Sequence, residues 1–317
     1  MAIFTASTKH LGGTEKETPK QQFFYGLVQK NVLVTGADGQ LGSEIKAMTG
    51  RMNLPFHFIF TDVGGVDITD IQQVESYVRN YRIEYIVNCA AYTAVDKAEN
   101  DVEKAFEVNA VAVGNIARVA KKEGVKVIQI STDYVFDGSS DVPYTEDMKP
   151  NPLSVYGKSK LAGEEELKAA GGDWAIIRTS WMYSSFGNNF VKSMIRLMRE
   201  RKSLTIVDDQ RGAPTYAADL AEMIIHILQS SEENGWKSGI YHFSNRGDTT
   251  WYGFASEIKR LAGIESCELS PVTSEEYGSP VQRPAYSVMS LSKICAAFNV
   301  EIPEWKESLK RCFMLLK

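Results

Sequence analysis

Short runs of consecutive apolar residues alternate along the first half of the chain with longer stretches of mixed polarity. Asn31-Val-Leu-Val-Thr35 is β-branched and apolar, stops at Gly36-Ala-Asp-Gly39-Gln-Leu-Gly42, and gives way over 43–48 to a helix. Further apolar runs follow at 56–61, 85–88, 125–130 and 174–178, with helical stretches at 71–80 and 102–122 between them. Repeated βα units of this kind predict an α/β fold with a parallel, doubly wound sheet and right-handed crossovers. The runs are continuous instead of alternating, as in strands covered on both faces. After residue 178 the pattern is less regular, with turns at Gly187, Gly212-Ala-Pro214, Gly235, Gly247 and Pro271. This predicts a second, smaller lobe beginning near Trp181. Ile240-Tyr-His-Phe-Ser244 reads as one more strand able to rejoin the first sheet, so that the two lobes interleave in sequence.

The glycine turn carries the first chemistry. Gly36, Gly39 and Gly42, with Gln40 and Leu41 between the last two, stand directly between the first strand and the first helix. Glycines there permit a tight turn and close approach of backbone to a pyrophosphate, while the helix offers unpaired N–H groups and its positive end. The spacing is G-x-x-G-x-x-G. Twenty residues beyond Gly42 the second strand ends at Asp62, whose carboxylate can accept both ribose hydroxyls and would repel a 2′-phosphate, which leans toward NAD over NADP. The alternative is a loop aspartate that caps a turn. Asp67 and Ile68 follow as adenine contacts. At the third strand end, Ala90 and Ala91 before Tyr92 would let a flat cofactor lie against the backbone, although alanines also close tight βα corners.

A second cluster lies farther on. Tyr156 and Lys160 are one helical turn apart, so a phenol and an ammonium share a face. A nearby positive charge stabilises the phenolate, which makes the pair a candidate for proton transfer near neutral pH. Upstream, the strand 126–130 ends in Ser131-Thr132-Asp133 and sets hydroxyls at a strand terminus, where α/β enzymes hold their ligands.

Composition narrows the classes. The chain of 317 residues is 44% hydrophobic and 24% charged, enough to bury a substantial core in one large domain or two lobes. A net charge of −5 and no dense Lys/Arg block argue against a nucleic-acid surface and for small-molecule partners. No apolar stretch approaches the roughly 18 to 20 residues that span a bilayer, so no membrane partner is expected. Cys89, Cys267, Cys295 and Cys312 show no ligand spacing, read as reduced packing residues and suit the cytoplasm. Residues 1–30 lack the basic-then-apolar order of a secretory signal and are expected to be a poorly ordered extension. His226 reads as a helix-face residue, and Glu164-Glu-Glu166 as a solvated helix face.

Five motifs occur in one order: the glycine turn, Asn88-x-Ala-Ala-Tyr-Thr-Ala-Val-Asp-Lys-Ala-Glu99, Ser131-Thr-Asp-Tyr-Val-Phe-Asp-Gly138, Tyr156-Gly-Lys-Ser-Lys160-Leu-Ala-Gly-Glu164 and Arg178-Thr-Ser-Trp181. With Asp209-Gln-Arg-Gly-Ala-Pro-Thr215 and Arg283-Pro-Ala-Tyr-Ser287 they resemble the extended short-chain dehydrogenase/reductases, and within them the dTDP-4-dehydrorhamnose reductase family. The resemblance implies a Rossmann-type dinucleotide-binding domain over 31–180 and a substrate-binding lobe over 181–317. It implies reduction of the 4-keto group of dTDP-4-dehydro-L-rhamnose by NADPH or NADH, the family tolerating either. By the same resemblance Tyr156 donates the proton, Lys160 lowers the phenol pKa and holds the nicotinamide ribose, Thr132 hydrogen-bonds the carbonyl, and Asp133 and Trp181 touch the sugar nucleotide. The dehydratases that resemble this family carry an acidic pair after the threonine; Asp133-Tyr134 stands here instead, and dehydration loses ground. Some members are reported to bridge Mg2+ between subunits through glutamates. Glu44 is a candidate for one of these, but no convincing ligand set exists, so no metal site is assigned. A homodimer stays open, as do two other functions: a non-catalytic, nucleotide-binding regulatory subunit and a sugar-nucleotide epimerase.

Overall fold

A computed structural model describes residues 29–279 and 281–316. The expected N-terminal extension therefore falls, up to residue 28, outside the described residues. Six parallel strands form the central sheet: β1 (Lys30–Thr35), β2 (Phe56–Phe60), β3 (Ile83–Asn88), β4 (Lys126–Thr132), β5 (Trp174–Thr179) and β6 (Gly239–Phe243). Their spatial order is β6-β5-β4-β3-β1-β2, so the strand order reverses between β1 and β3 and opens a crevice at the carboxyl ends. β6 comes from late in the chain and runs parallel to β5, with His242 in register with Arg178.

Each strand sends successive side chains to opposite faces, and both faces are covered. Val32, Val34, Tyr85, Val87, Ile128 and Ile177 pack under helices α1 (Gln40–Thr49) and the long Ala217–Asn234 helix. Leu33, Ile86, Val127 and Ile176 face the other way, toward α2 (Ile71–Asn80), α3 (Ala112–Glu123) and α4 (Val155–Ala170). That two-sided burial is why the apolar runs are unbroken. Asp70 caps α2 by accepting from the backbone of Gln72 and Gln73, and Ser154 caps α4 by accepting from Gly157 N.

One predicted helix is divided. The stretch expected over 102–122 is a short helix Val102–Phe106, a wide turn Glu107–Val111 with π-type hydrogen bonding, and α3. The wide turn carries Asn109 against α4, where its amide donates to Ser159 Oγ at 3.0 Å and to Tyr92 O at 3.0 Å. Gly163 makes that approach possible: a Cβ there would stand 2.0 Å from Asn109 O. Beyond the sheet, Ser203–Val207 pairs in parallel with Glu268–Val272, and a separate aromatic core of Tyr183, Tyr216, Phe254 and Trp305 fills this side of the molecule.

Candidate active site

A cleft of about 530 Å³ opens at the carboxyl ends of β1 to β4. Its floor is the glycine turn. Gly36 has φ +61°, and a Cβ on it would lie 2.6 Å from Ala90 N, so only glycine lets the turn pack against the end of β3. A Cβ on Gly42 would meet Gly36 O at 2.5 Å, which keeps α1 tight on the turn. Gly39 caps α1 with no side-chain acceptor, so the first-turn N–H groups face the cleft without a partner of the chain's own. These features fit a dinucleotide pyrophosphate.

Gly36, Gly39, Gln40, Leu41, Gly42, Asp62, Asp67, Ile68, Ala90 and Ala91 all line this one cleft. Asp62 accepts from Asp38 N at 3.0 Å and from Val63 N at 2.8 Å, tying the end of β2 to the glycine turn and holding its negative charge at the cleft edge. Asp67 closes a loop on Thr69 N and Oγ1, and these bonds keep its carboxyl below the usual range. Tyr92 is placed differently from the rest of the set. Its ring packs with Val95, Ala98, Ala105 and Tyr156 and its hydroxyl donates to Asp101, so its side chain stands off the cleft wall and at the reaction end. Lining residues that the motif reading did not single out include Thr61, Lys104, Met182 and Asn188. Only the fold brings them there, because each lies in an otherwise ordinary local sequence.

Thr132, Tyr156 and Lys160 converge at the end of β4, all of them buried. Thr132 Oγ1 accepts from Tyr134 N at 3.2 Å and donates to Asp133 Oδ1 at 3.1 Å. Tyr156, in the first turn of α4, meets the Tyr134 ring edge-on at 5.5 Å. Lys160 Nζ donates to Ile130 O at 2.7 Å, and Ile130 itself lines the cleft. Burial pushes the Lys160 ammonium down to about 8, with the Glu164 charge opposing. From its spacing alone that ammonium is expected to pull the phenol down. In the structure burial outweighs other influences and pushes Tyr156 upward, against a hydrogen bond with Thr132. Tyr156 thus holds its proton, the state a donor needs. Asp133 is also buried, its Oδ2 has no partner, and its carboxyl is pushed up to about 6.

Beside this cluster lies a second, smaller hollow of about 230 Å³ lined by Phe190, Met194, Gln210, Trp251, Tyr277 and Arg283, among others. Trp181, with φ +46°, stacks on Trp251 at 3.7 Å, and Arg283 reaches from the hollow to Tyr134 OH and Asp96. Trp251 carries no signal in any motif; its partnership with Trp181 spans seventy residues and is made by folding. Two expectations are corrected. Glu44 is buried inside the subunit, where Ser184 Oγ donates to it at 2.6 Å, so it presents no carboxylate for a bridging ion at the surface. Glu164 is not on a solvated face but is buried against Arg178 at 2.6 Å; only Glu165 and Glu166 meet solvent. No group of three or more metal-ligating side chains occurs among the described residues, and no helix among them is long and apolar enough to cross a membrane.

A doubly wound sheet with a glycine-floored cleft and a buried Thr-Tyr-Lys cluster at the end of the neighbouring strand defines a dinucleotide-dependent oxidoreductase of the extended short-chain type. A profile described as the RmlD substrate binding domain matches residues 30–317. The spore coat polysaccharide biosynthesis protein SpsK of Bacillus subtilis (strain 168) is 40% identical over 88% of this chain and 95% of its own length. The dTDP-4-dehydrorhamnose reductase of Escherichia coli (strain K12) is 41% identical over 89% of this chain and 96% of its own. The crystal structure of dTDP-4-dehydrorhamnose reductase from Bacillus anthracis str. Ames in complex with NADP superposes with a TM-score of 0.85 at 39% identity, covering 90% of this chain and 99% of that one. The chain belongs to the dTDP-4-dehydrorhamnose reductase family.

Proposed function

We propose that this protein reduces the 4-keto group of dTDP-4-dehydro-L-rhamnose to give dTDP-L-rhamnose, at the expense of NADPH or NADH. One observation carries the reading: Thr132, Tyr156 and Lys160 meet at the end of β4, beside a cleft whose glycine floor fits a dinucleotide. The glycine turn and the open end of α1 hold the pyrophosphate, and Asp62 accepts from the adenine ribose. A reduced nicotinamide held there would supply the hydride. Negative charge grows on the carbonyl oxygen as the hydride arrives, and Tyr156 together with Thr132, once its hydroxyl turns from Asp133 to the substrate, would stabilise it more in the transition state than in the ground state. Tyr156 then gives its proton to the alkoxide. Lys160 stabilises the phenolate left behind and holds the nicotinamide ribose. The hollow with Trp251 and Arg283 suits the nucleotide end of the substrate, offering apolar faces to a base and a guanidinium to a phosphate.

The deciding measurement is an assay across several 4-keto sugar nucleotides, each with both cofactors, followed by nicotinamide absorbance. Stoichiometric oxidation of cofactor with the 4-dehydro-rhamnose sugar supports the reading. A flat trace with cofactor bound points to a regulatory subunit, and nicotinamide that copurifies at full occupancy points to an epimerase.

A further inference from the structure

Tyr156, Lys160 and Glu164 form a single stripe on α4, each one turn from the next, and that stripe faces the end of β4. The first two belong to the reaction; the third has no part in it so far. Glu164 is 1% exposed, and every oxygen of its carboxylate is engaged. Oε1 accepts from Ser131 Oγ at 2.6 Å and Arg178 Nε at 2.9 Å, and Oε2 accepts from Arg178 Nη2 at 2.6 Å. Ser131 lies between Ile130, whose carbonyl holds Lys160, and Thr132. The clamp and the reaction cluster therefore hold three consecutive residues of one strand.

Stability alone does not account for two charges at this spot. A buried ion pair is on average no better than apolar side chains of the same volume, because both ions lose their hydration. What the pair does have beside it is a third buried charge, Lys160, whose one hydrogen-bond partner among the described residues is a neutral carbonyl. Taking the reductase reading as the basis, we propose that Glu164, fixed by Arg178 and Ser131, is a positioning residue that keeps the Lys160 ammonium charged and pinned one turn behind Tyr156.

The groups facing this stripe are few. Around Lys160 they are Glu164 from its own helix and the Cys89 thiol from the end of β3. Around Tyr156 they are Asp133 and Tyr134, both just beyond β4. Around Glu164 they are Arg178 from β5 and, at 4.0 Å, Lys168 from α4. Behind Arg178 stands His242 of β6, which burial and the guanidinium keep neutral. Among the described residues Glu164 is thus the carboxylate set to oppose the desolvation of Lys160.

The test follows NADPH affinity of the whole protein by cofactor fluorescence from about pH 6 to about pH 10, with single-turnover reduction measured in parallel. The reporting signal is the alkaline limb that Lys160→Met removes. In Glu164→Gln that limb should move about one pH unit lower, a tenfold loss of proton affinity, while Glu164→Asp stays near the parent. Arg178 left unpaired can prevent folding, so Glu164→Gln/Arg178→Met is the second variant; its limb should also move lower, by less than in Glu164→Gln, because loss of the guanidinium offsets part of the lost attraction. A folded variant whose limb stays at the parent position overturns the proposal, whatever its turnover, as does a limb that survives Lys160→Met. Because affinity is read without sugar, a parent that binds NADPH and fails to reduce the sugar would sink the reductase reading and leave this test intact.

Discussion

Tyr156 is held in its protonated form by burial, and a phenol in that state serves as a donor only if a hydroxyl is present to give. Tyr156→Phe should lower kcat by about 10²- to 10⁴-fold with cofactor affinity kept, checked by turnover against fluorescence titration. Asp62 presents its charge at the cleft edge while its oxygens are tied to Asp38 N and Val63 N. Asp62→Ser should raise the ratio of kcat/KM with NADPH to that with NADH by about tenfold, near 1.4 kcal/mol of relieved repulsion. The site was legible where its signals are local. Three glycines in a turn, or a phenol and an ammonium one helical turn apart, sit within a few residues of each other and need no tertiary knowledge. Glu164 was misread because a run of three glutamates says nothing about which one faces inward. Its burial is set by Arg178 on β5.

Elements show the same division. The strands were visible because both faces of the sheet are buried and the apolar runs are unbroken; their ends shift by one or two residues where hydrogen bonding continues past the last apolar side chain, as it does through Thr132 of β4. The wide turn Glu107–Val111 was not visible, because Glu107-Val-Asn-Ala-Val111 carries no glycine or proline to mark where the hydrogen bonding widens. Its effect is to drive Asn109 into α4 at Gly163. Gly163→Ala should therefore destabilise by about 1–3 kcal/mol, read as a lower denaturation midpoint. A gain in stability from the helix propensity of alanine would show that the two helices move apart at little cost.

Across the whole molecule, the reaction cluster works against folding. The Asp133 carboxyl is pushed up to about 6 from an ordinary 3.8, so its contribution to stability is present below about pH 4 and is lost as pH rises through 6. Asp133→Asn should be more stable than the parent above pH 6 by about 1–3 kcal/mol, with the gain vanishing toward pH 4 in denaturation curves taken across that range. Lys160 runs the opposite way: its value is depressed to about 8, and the cost of charging it fades as pH rises above that.

The edge strand β6 leaves the sheet closed by residues that follow the whole Ser203–Val207 and Ala217–Asn234 excursion. A ribosome releasing this chain has thus made every site residue from Gly36 to Trp181 before the border of the sheet beside β5 exists, and until then β5 offers a bare hydrogen-bonding edge. Separate genes for the two halves should consequently yield a sticky first half in place of a working nucleotide-binding module, and late truncations should be as damaging as early ones.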